Sequence, residues 1–423
     1  MSHRLTGLAL FAVIALSACG RSVSAPPATG GYRIFLEEGF NGGSERITVR
    51  DSASGALERQ LPLGTPAPDW SRYYTVTPMA GSARLTALDP SSGRTMAQAT
   101  VPTGYALPSL GFQGPTAGLS PNGQWLALTD NGRATTGKLV TSFLVGPSSL
   151  SGSFKTVRLD GDFAFDALSD TGQNLYLIQR MGDPNHYQVR QLDIASGTLV
   201  EQPVVDKREP GEPMNGIRGD SVADSEAQYV FTVYAREAGP FIHALPLDQA
   251  FAWCIDLPAK SASDMEEQFH WSLAVNRAGS MLYAVNGSSG RIAAISPASL
   301  PQVERTAELA LNPGHSLVAG LVTEAEAKGA RIGGAALSAD GRTLFALGNA
   351  GIVVIDTASL KIRARILEGE SVDSIRLSSD GQRLFAAGAT NSKVWQINPS
   401  TGVVSGQVPG TTNPWALLWA APK

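Results

Sequence analysis

Short runs of apolar and β-branched residues alternate with polar turns along nearly the whole chain, and the clearest example occurs twice near the C-terminus. Residues 336–347 read Ala-Leu-Ser-Ala-Asp-Gly-Arg-Thr-Leu-Phe-Ala-Leu, and residues 376–387 read Arg-Leu-Ser-Ser-Asp-Gly-Gln-Arg-Leu-Phe-Ala-Ala. Each copy continues through an alternating segment, 352–356 or 394–398, into a polar turn. A period of about 40 residues, with strands between turns, is typical of the blades of a β-propeller.

Weaker copies of the same unit precede this pair. We name the four predicted strands of a copy a to d, from the ring centre outward. A Ser-x-Asp-Gly-like turn follows strand a, and an Asp-x-x-Ser-Gly-like turn joins strands c and d. Because one four-stranded blade cannot bury both of its faces, the repeats imply a ring. The count favours eight blades, and seven remain possible if the second or fifth copy is an insertion.

The first copy lacks strand a, since residues 32–63 supply three strands only. An apolar run, 413–420, is left over after the last complete copy. We predict that this C-terminal strand supplies the missing one and closes the ring, because an open blade would expose an unpaired edge. Trp415, Leu417 and Trp419 alternate along it, which predicts that one face buries both indoles against a neighbouring blade.

Composition agrees with an array of short strands and narrows the class of partner. Of 423 residues, 43% are hydrophobic and 17% charged, with 45 Gly and 26 Pro, which suits strands joined by tight turns. The formal charge of −4, with Lys and Arg scattered, leaves no basic field for a nucleic-acid backbone. We therefore expect one all-β propeller domain over residues 32–423 that binds neither DNA nor RNA.

The N-terminus has the pattern of a targeting segment, with a positive start and an apolar run over residues 5–18 that is too short to span a bilayer. Residues 16–20, Leu-Ser-Ala-Cys-Gly, resemble the lipobox of bacterial lipoproteins. That resemblance implies a lipoprotein signal peptide over 1–19 in which Cys19 is lipidated. Residues 20–31, rich in Ser, Ala, Pro and Gly, predict a flexible tether. The alternative is an ordinary secretory signal with a chance cysteine.

The repeated turns, together with Tyr-Ala-Val-Asn over residues 283–286, resemble the YVTN-type, WD40-like β-propeller repeats of bacterial exported proteins. The resemblance covers nearly all of the chain after the tether, although the Trp-Asp dipeptides of typical WD40 proteins are absent. It implies the propeller fold. Some propellers with similar repeats are lactonases, quinoproteins or haem enzymes, so the resemblance does not select a function.

The connections between strands fall into two sets that differ in length. In a propeller the a–b and c–d turns lie on one face, here called the short-turn face. The b–c and d–a connections lie on the other, the long-loop face, and here they are long and varied. Loops that vary on a rigid scaffold concentrate binding residues. The candidate ligand-binding residues on the long-loop face are Arg133, Arg180, His186, Arg236, Glu237, His270, His315 and Arg331.

The sequence indicates no metal site and no cofactor. Zinc needs three or four converging ligands, and the His residues are dispersed without a spacing motif. Two Cys residues exclude Cys-x-x-Cys-His attachment of haem, and Cys254 is expected to be a small buried hydrophobe. Turn residues such as Asp340 and Asp380 lack the alternating carboxylates of a calcium loop.

These observations favour a lipid-anchored, extracytoplasmic β-propeller in the periplasm or on the surface of a bacterial cell. The long-loop face is expected to bind a protein or polymeric ligand, such as an envelope protein or a polysaccharide. The alternatives are a structural envelope subunit and a propeller enzyme, lactonase- or lyase-like on a sugar-related substrate, with its site at the channel mouth. Perturbed carboxylate or His pairs there would favour the enzyme, and an exposed apolar patch would favour a partner. The oligomeric state stays open.

Fatty-acid labelling in a bacterial host tests the lipid anchor. We expect the wild type to incorporate label and to sediment with membranes, because two or three acyl chains anchor a protein stably. Cys19→Ser should incorporate none and be released as a soluble domain, whereas Cys254→Ser, the control, should behave as the wild type. Equal labelling of wild type and Cys19→Ser would contradict lipidation.

Overall fold

The fold is a ring of eight β-sheets, and helix is nearly absent from the described part of the chain. The computed structural model describes residues 31–39, 46–108, 117–130, 139–182, 187–206, 215–224, 229–259, 264–276, 278–298, 300–311 and 334–423. The predicted all-β propeller with eight blades is confirmed. The other prediction, seven blades, is wrong, because the second and fifth copies each form a sheet of their own.

The blades are numbered along the chain, and their strands follow in sequence order. Blade 1 contains β1 (Tyr32–Glu38), β2 (Arg46–Asp51), β3 (Leu57–Leu61) and, innermost, β32 (Pro414–Pro422). Blade 2 contains β4 (Thr65–Pro66), β5 (Tyr73–Met79), β6 (Ser82–Leu88) and β7 (Thr95–Pro102). Blade 3 contains β8 (Trp125–Asp130), β9 (Val140–Pro147) and β10 (Lys155–Asp160). Blade 4 contains β11 (Asp162–Leu168), β12 (Asn174–Arg180), β13 (Tyr187–Asp193) and β14 (Thr198–Leu199).

The second half of the ring follows the same plan. Blade 5 contains β15 (Val205–Asp206), β16 (Ile217–Ala223), β17 (Tyr229–Ala235), β18 (Phe241–Pro246) and β19 (Phe251–Asp256). The short helix α1 (Met265–Gln268) precedes blade 6, which contains β20 (Trp271–Val275), β21 (Leu282–Asn286), β22 (Arg291–Ser296) and β23 (Gln302–Glu308). Blade 7 contains β24 (Ala335–Leu337), β25 (Thr343–Leu347), β26 (Ile352–Asp356) and β27 (Lys361–Ile366). Blade 8 contains β28 (Ser374–Leu377), β29 (Leu384–Gly388), β30 (Lys393–Ile397) and β31 (Val404–Gln407).

Blades 3 and 5 depart from the four-strand plan. In blade 3 the innermost position is filled by residues 117–120, where Leu119 forms an antiparallel bridge with Leu126. In blade 5 the extra strand β15 pairs in parallel with β19. It covers an outer edge that would otherwise present unpaired backbone groups.

The repeated turns adopt the conformation that their sequence predicts. The N–H of Thr343 donates to Ser338 Oγ at 2.9 Å, and Asp340 Oδ1 accepts from the Ser338 hydroxyl. The carboxylate is therefore engaged within its own turn. Gly341 and Gly381 have φ of 71° and 69°, in the left-handed region where a Cβ atom is strained.

Apolar side chains form eight separate clusters, one between each pair of neighbouring blades. Trp271 and Trp395 are among the largest fully buried side chains of these clusters. Each blade therefore buries apolar residues on both faces, and its burial depends on two neighbours. This is the physical reason that the repeats require a closed ring.

The C-terminal strand closes the ring as predicted. β32 pairs antiparallel with β1, from Tyr32 opposite Pro422 to Glu38 opposite Pro414. At the end of this pairing the fully buried Glu38 accepts the N–H of Thr412 at 2.9 Å and forms an ion pair with Arg50 at 3.1 Å. The first and last segments of the described chain are thus joined in one blade.

The prediction that Trp415, Leu417 and Trp419 share one face is wrong. A β-bulge inserts Leu418 between Leu417 and Trp419, so these two side chains point to opposite faces of the blade. Leu417 packs between blades 8 and 1. Trp419 stacks on Trp70 between blades 1 and 2, with ring centroids 5.1 Å apart and planes 5° from parallel. Both C-terminal indoles are half-buried.

Trp70 occupies the turn position that glycine holds in five other blades, at Gly123, Gly172, Gly279, Gly341 and Gly381. Its N–H donates to the carbonyl of Ala67 at 2.9 Å, as the N–H of Gly341 does to Ser338 at 2.8 Å. The φ of Trp70 is 57°, a conformation that costs an L-residue roughly 1–2 kcal/mol. Stacking on Trp419 and contact with Phe35, at 5.0 Å, offset this strain.

Truncation before β32 tests ring closure. A chain ending at Thr412 should aggregate or lose far more than the roughly 1 kcal/mol typical of a point mutation, because β1 becomes an edge and two clusters are opened. Urea and thermal unfolding measure the loss. The control is removal of Lys423 alone, which ends the partly buried ion pairs with Asp51 and Glu58 and a backbone hydrogen bond to Gly31 but keeps the strand, and it should cost far less than the truncation. A truncated chain that unfolds like the full chain would show that closure lies elsewhere.

Candidate functional site

Four of the predicted ligand-binding residues lie in the described part of the chain. They are Arg180, Arg236, Glu237 and His270. The other predicted positions lie outside the described residues: Cys19, Arg133, His186, His315 and Arg331.

Three of these residues lie around helix α1, on the long-loop face of blades 5 and 6: Arg236, Glu237 and His270. The N–H of Arg236 donates to Gln268 Oε1 at 2.9 Å, and Gln268 Nε2 donates back to the carbonyl of Arg236 at 2.9 Å. The N–H of His270 donates to the carbonyl of Glu267 at 3.1 Å. The exposed Glu237 follows Arg236 directly. Arg236, Glu237 and His270 therefore surround one small, well-bonded element.

Within this group, the guanidinium of Arg236 is engaged on two sides. Its Nη2 lies 3.1 Å from Asp256 Oδ1, and its Cζ lies 4.3 Å from the centroid of the Phe241 ring. Arg236 also lines a cavity of about 260 Å³ between the outer strands of blades 5 and 6, together with Asp206, Cys254, Ile255, Asp256, Gln302 and Val303. Cys254, expected to be buried, is half-buried and packs against the cluster between blades 4 and 5.

Arg180 lies apart from this group, at the long-loop end of blade 4. It pairs with Asp162 at 3.0 Å, and about half of its side chain is exposed. Three exposed apolar residues lie at the long-loop ends of strands in blades 3, 4 and 5, and we call them the apolar rim patch: Leu139, Met181 and Ile217. Leu139 accepts the N–H of Gly161 at 2.8 Å, Met181 follows Arg180, and Ile217 begins the neighbouring inner strand, β16.

Charged residues in the inner strands form a second candidate site, in the central channel below the long-loop face. Asp166 is the extra residue of a β-bulge in β11, and a second bulge interrupts β16 between Arg218 and Ser221. Arg218 forms an ion pair with Asp166 across the boundary of blades 4 and 5, and both side chains are nearly buried. Bulges are frequent beside functional sites, since they redirect a side chain.

The bulge in β16 directs Asp220 toward blade 6. Asp220 Oδ2 accepts the N–H of Leu273 at 2.8 Å, and Oδ1 accepts the N–H of Ser221 at 2.9 Å. Burial raises the pKa of Asp220 to about 6, although these hydrogen bonds and the positive charge of Arg376 act to lower it. The side chain is nevertheless partly exposed, which is the combination expected of a carboxylate lining an enclosed channel.

Arg376 approaches the same space from β28, the inner strand of blade 8. Its Nε donates to the carbonyl of Leu417 at 3.3 Å. Burial lowers the pKa of the guanidinium, and the negative charge of Asp220 acts to raise it. Opposite charges from blades 5 and 8 thus face one channel.

Four charged residues of the inner strands were not apparent from the sequence pattern: Asp166, Arg218, Asp220 and Arg376. Strand patterns assume an unbroken period of two, and a bulge breaks it without any fixed sequence mark. The sequence nevertheless carries a signal, namely charged residues in inner strands. They occur in Ile-Arg-Gly-Asp-Ser over residues 217–221 and in Ser-Ile-Arg-Leu over 374–377. The equivalent strand of blade 7 is uncharged and reads Ala-Ala-Leu.

The described part of the chain contains neither a cluster of metal ligands nor a helix that could cross a membrane. Within it, no three His, Cys, Asp or Glu side chains converge in a way that could hold a metal ion. None of the helices found there has the length and apolar character needed to cross a bilayer.

Comparison with known proteins shows similarity of fold. No family model matches the chain, and no curated protein matches its sequence. Among solved structures, dihydro-heme d1 dehydrogenase NirN aligns with a TM-score of 0.50 at 14% identity over 92% of this chain and 74% of that chain. Apo AztD from Citrobacter koseri aligns at 0.48 and 12% over 93% and 97%. The Pseudomonas aeruginosa periplasmic gluconolactonase PpgL aligns at 0.43 and 16% over 91% and 98%. At such identities the likeness shows the fold alone.

The pH dependence of stability tests the environment of Asp220. A carboxyl group with a raised pKa in the folded state binds its proton more tightly there than in the unfolded chain. Its contribution to the free energy of unfolding therefore falls as the pH rises from about 4 to 6. The stability of the wild type relative to Asp220→Asn should be about 1 to 3 kcal/mol greater at pH 4 than at pH 8.

Urea unfolding at a series of pH values measures this difference. The matched control is Asp248→Asn, which changes an exposed carboxylate in the same blade and should give a profile parallel to that of the wild type. Parallel profiles for wild type and Asp220→Asn would contradict the desolvated setting of Asp220.

Proposed function

We propose that this protein is a lipid-anchored, extracytoplasmic β-propeller that captures a protein of the cell envelope with the long-loop face of blades 3 to 5. The observation that carries the proposal is the apolar rim patch, whose three side chains are 40–55% exposed at the long-loop ends of three consecutive blades. Single exposed apolar residues are ordinary, whereas grouped ones mark interaction surfaces.

Charge around the patch supports a protein partner over a polysaccharide. The Arg180–Asp162 ion pair lies at the long-loop end of blade 4, next in sequence to Met181, and Arg236 and Glu237 lie on the adjoining blade. A protein interface combines an apolar centre with a polar, charged rim. The adjoining elements are held by backbone hydrogen bonds, so the surface is largely preorganised, which lowers the entropic cost of association.

The point at which the domain begins also supports the proposal. The carbonyl of Tyr32 accepts the N–H of Ser52 at 2.8 Å, and the carbonyl of Gly31 accepts that of Lys423 at 3.3 Å. Ser52 belongs to the c–d turn of blade 1, so the first described residue lies on the short-turn face. A lipid on Cys19 would therefore tether this face to the membrane and leave the long-loop face directed toward a partner.

The alternative, a lactonase- or lyase-like enzyme acting on a sugar-related substrate, finds its best support in Asp220. A carboxylate with a raised pKa is suited to proton transfer. In the described residues, however, the hydrogen bonds of Asp220 come from backbone N–H groups, and no second titratable side chain bonds to it. Binding is therefore the function that the geometry favours.

A matched pair of methionine variants tests the proposal. Met181 in the apolar rim patch is 55% exposed, and Met96 on the outer strand of blade 2 is 45% exposed. After crosslinking and pull-down from envelope extract, proteins recovered with wild type and with Met96→Asp should be the same, and Met181→Asp should lose them. With the purified partner, Met181→Asp should weaken binding about tenfold or more, as expected for a charge placed at an interface centre.

Both variants should unfold as the wild type does, since neither side chain belongs to the core. Equal capture by Met181→Asp and wild type would contradict the proposal. Selective retention of isolated peptidoglycan, with no enriched protein, would assign the face to a polysaccharide instead.

A further inference from the structure

The guanidinium of Arg376 is placed in the channel with most of its donors unused. Ser374, two residues earlier on β28, accepts the N–H of Leu417 through its Oγ at 3.0 Å, so this side of β28 faces β32. Arg376 lies on the same side, and its Nε reaches the carbonyl of Leu417. Within the described residues its two Nη groups donate no hydrogen bond. They form a free planar fork, the geometry that binds a carboxylate with two parallel hydrogen bonds.

Asp220 supplies negatively charged hydrogen-bond acceptors on the other side of the channel. Each of its oxygens accepts one backbone N–H, from Ser221 or Leu273, and a carboxylate oxygen can accept a second hydrogen bond. The two backbone contacts hold the carboxylate in place. The bulge in β16 therefore directs the remaining acceptor positions of the Asp220 carboxylate toward the channel.

The two groups complement each other without being joined. Arg376 and Asp220 extend from the innermost strands of blades 8 and 5, which line the same channel, and each is anchored by backbone hydrogen bonds. Among the described residues no ion pair joins the two side chains. By contrast, Arg218 and Asp166 are in direct contact and neutralise each other. A channel with one fixed donor fork and one fixed acceptor, kept apart, fits a molecule that bridges them.

We propose that the central channel binds a small organic acid, whose carboxylate is held by Arg376 and whose hydroxyl or ammonium group donates to Asp220. A hydroxy acid and an amino acid share this chemistry. The site is separate from the apolar rim patch, and it requires no bond-making step. A neutral polyol lacks the group that the guanidinium binds, and a simple carboxylate lacks the donor for Asp220, so both should bind more weakly.

Titration calorimetry with sodium D-gluconate tests the site, with sorbitol and sodium acetate as the neutral and donor-free probes and glycine as the amino-acid probe. The wild type should bind gluconate or glycine saturably and the other two much more weakly. Arg376→Gln should weaken this binding about ten- to hundredfold, the loss expected for hydrogen bonds to a charged group. Asp220→Asn should weaken it about three- to tenfold. Arg363→Gln, which changes an exposed arginine on β27, should leave it unchanged.

Two further measurements keep the test decisive. If Arg376→Gln does not fold, Arg376→Lys keeps the charge but loses the fork, and it should still bind several-fold more weakly. Crystals of the wild type soaked in gluconate should show density between Arg376 and Asp220.

The proposal is overturned if neither acid binds saturably, if Arg376→Gln and Arg376→Lys bind as the wild type does, or if sorbitol binds as well as gluconate. Met181→Asp should retain acid binding, and Arg376→Gln should retain partner capture, so failure at one site is distinguishable from failure at the other.

Discussion

The pairing of β32 with β1 is the contact on which the rest of the structure depends. Each of the eight clusters is shared by two blades, so burial at any one of them assumes that its neighbours are in place. Blade 1 obtains its innermost strand from the opposite end of the chain. The loop that this contact closes spans nearly the entire domain, and its closure entropy is repaid only once the whole ring has formed.

The fold was predictable because it is repeated. Eight imperfect copies of one strand-turn pattern report on the same geometry, so errors in single copies do not change the ring. Glycine at the a–b turns and the leftover strand at the C-terminus each had a local physical reason that could be read directly. The bulge at Leu418 was not readable, because alternation along a strand carries no record of an inserted residue.

The candidate binding residues were predicted for the opposite reason, from the parts of the chain that depart from the repeat. Arg236, Glu237 and His270 were predicted because connections of unequal length point to one face, and the structure places these three around α1. Their role in binding stays a prediction. Asp220 and Arg376 come from the innermost strands of different blades and are distant in sequence, so only the closed ring brings them to one channel. Departures from the repeat, in the form of bulges and charges on inner strands, carry the functional information that the repeat itself does not.

Trp70 links the seam of the ring to the blade beside it. Glycine lets the other turns bend without steric cost, whereas Trp70 holds its left-handed conformation while its indole lies against Trp419. Departure of β32 would remove that support and leave a strained turn at the start of blade 2, which would then favour a relaxed backbone. Opening of the seam should therefore spread first into blade 2. Blades 1 and 2 would then exchange their amide protons as a single cooperative unit, ahead of the far side of the ring.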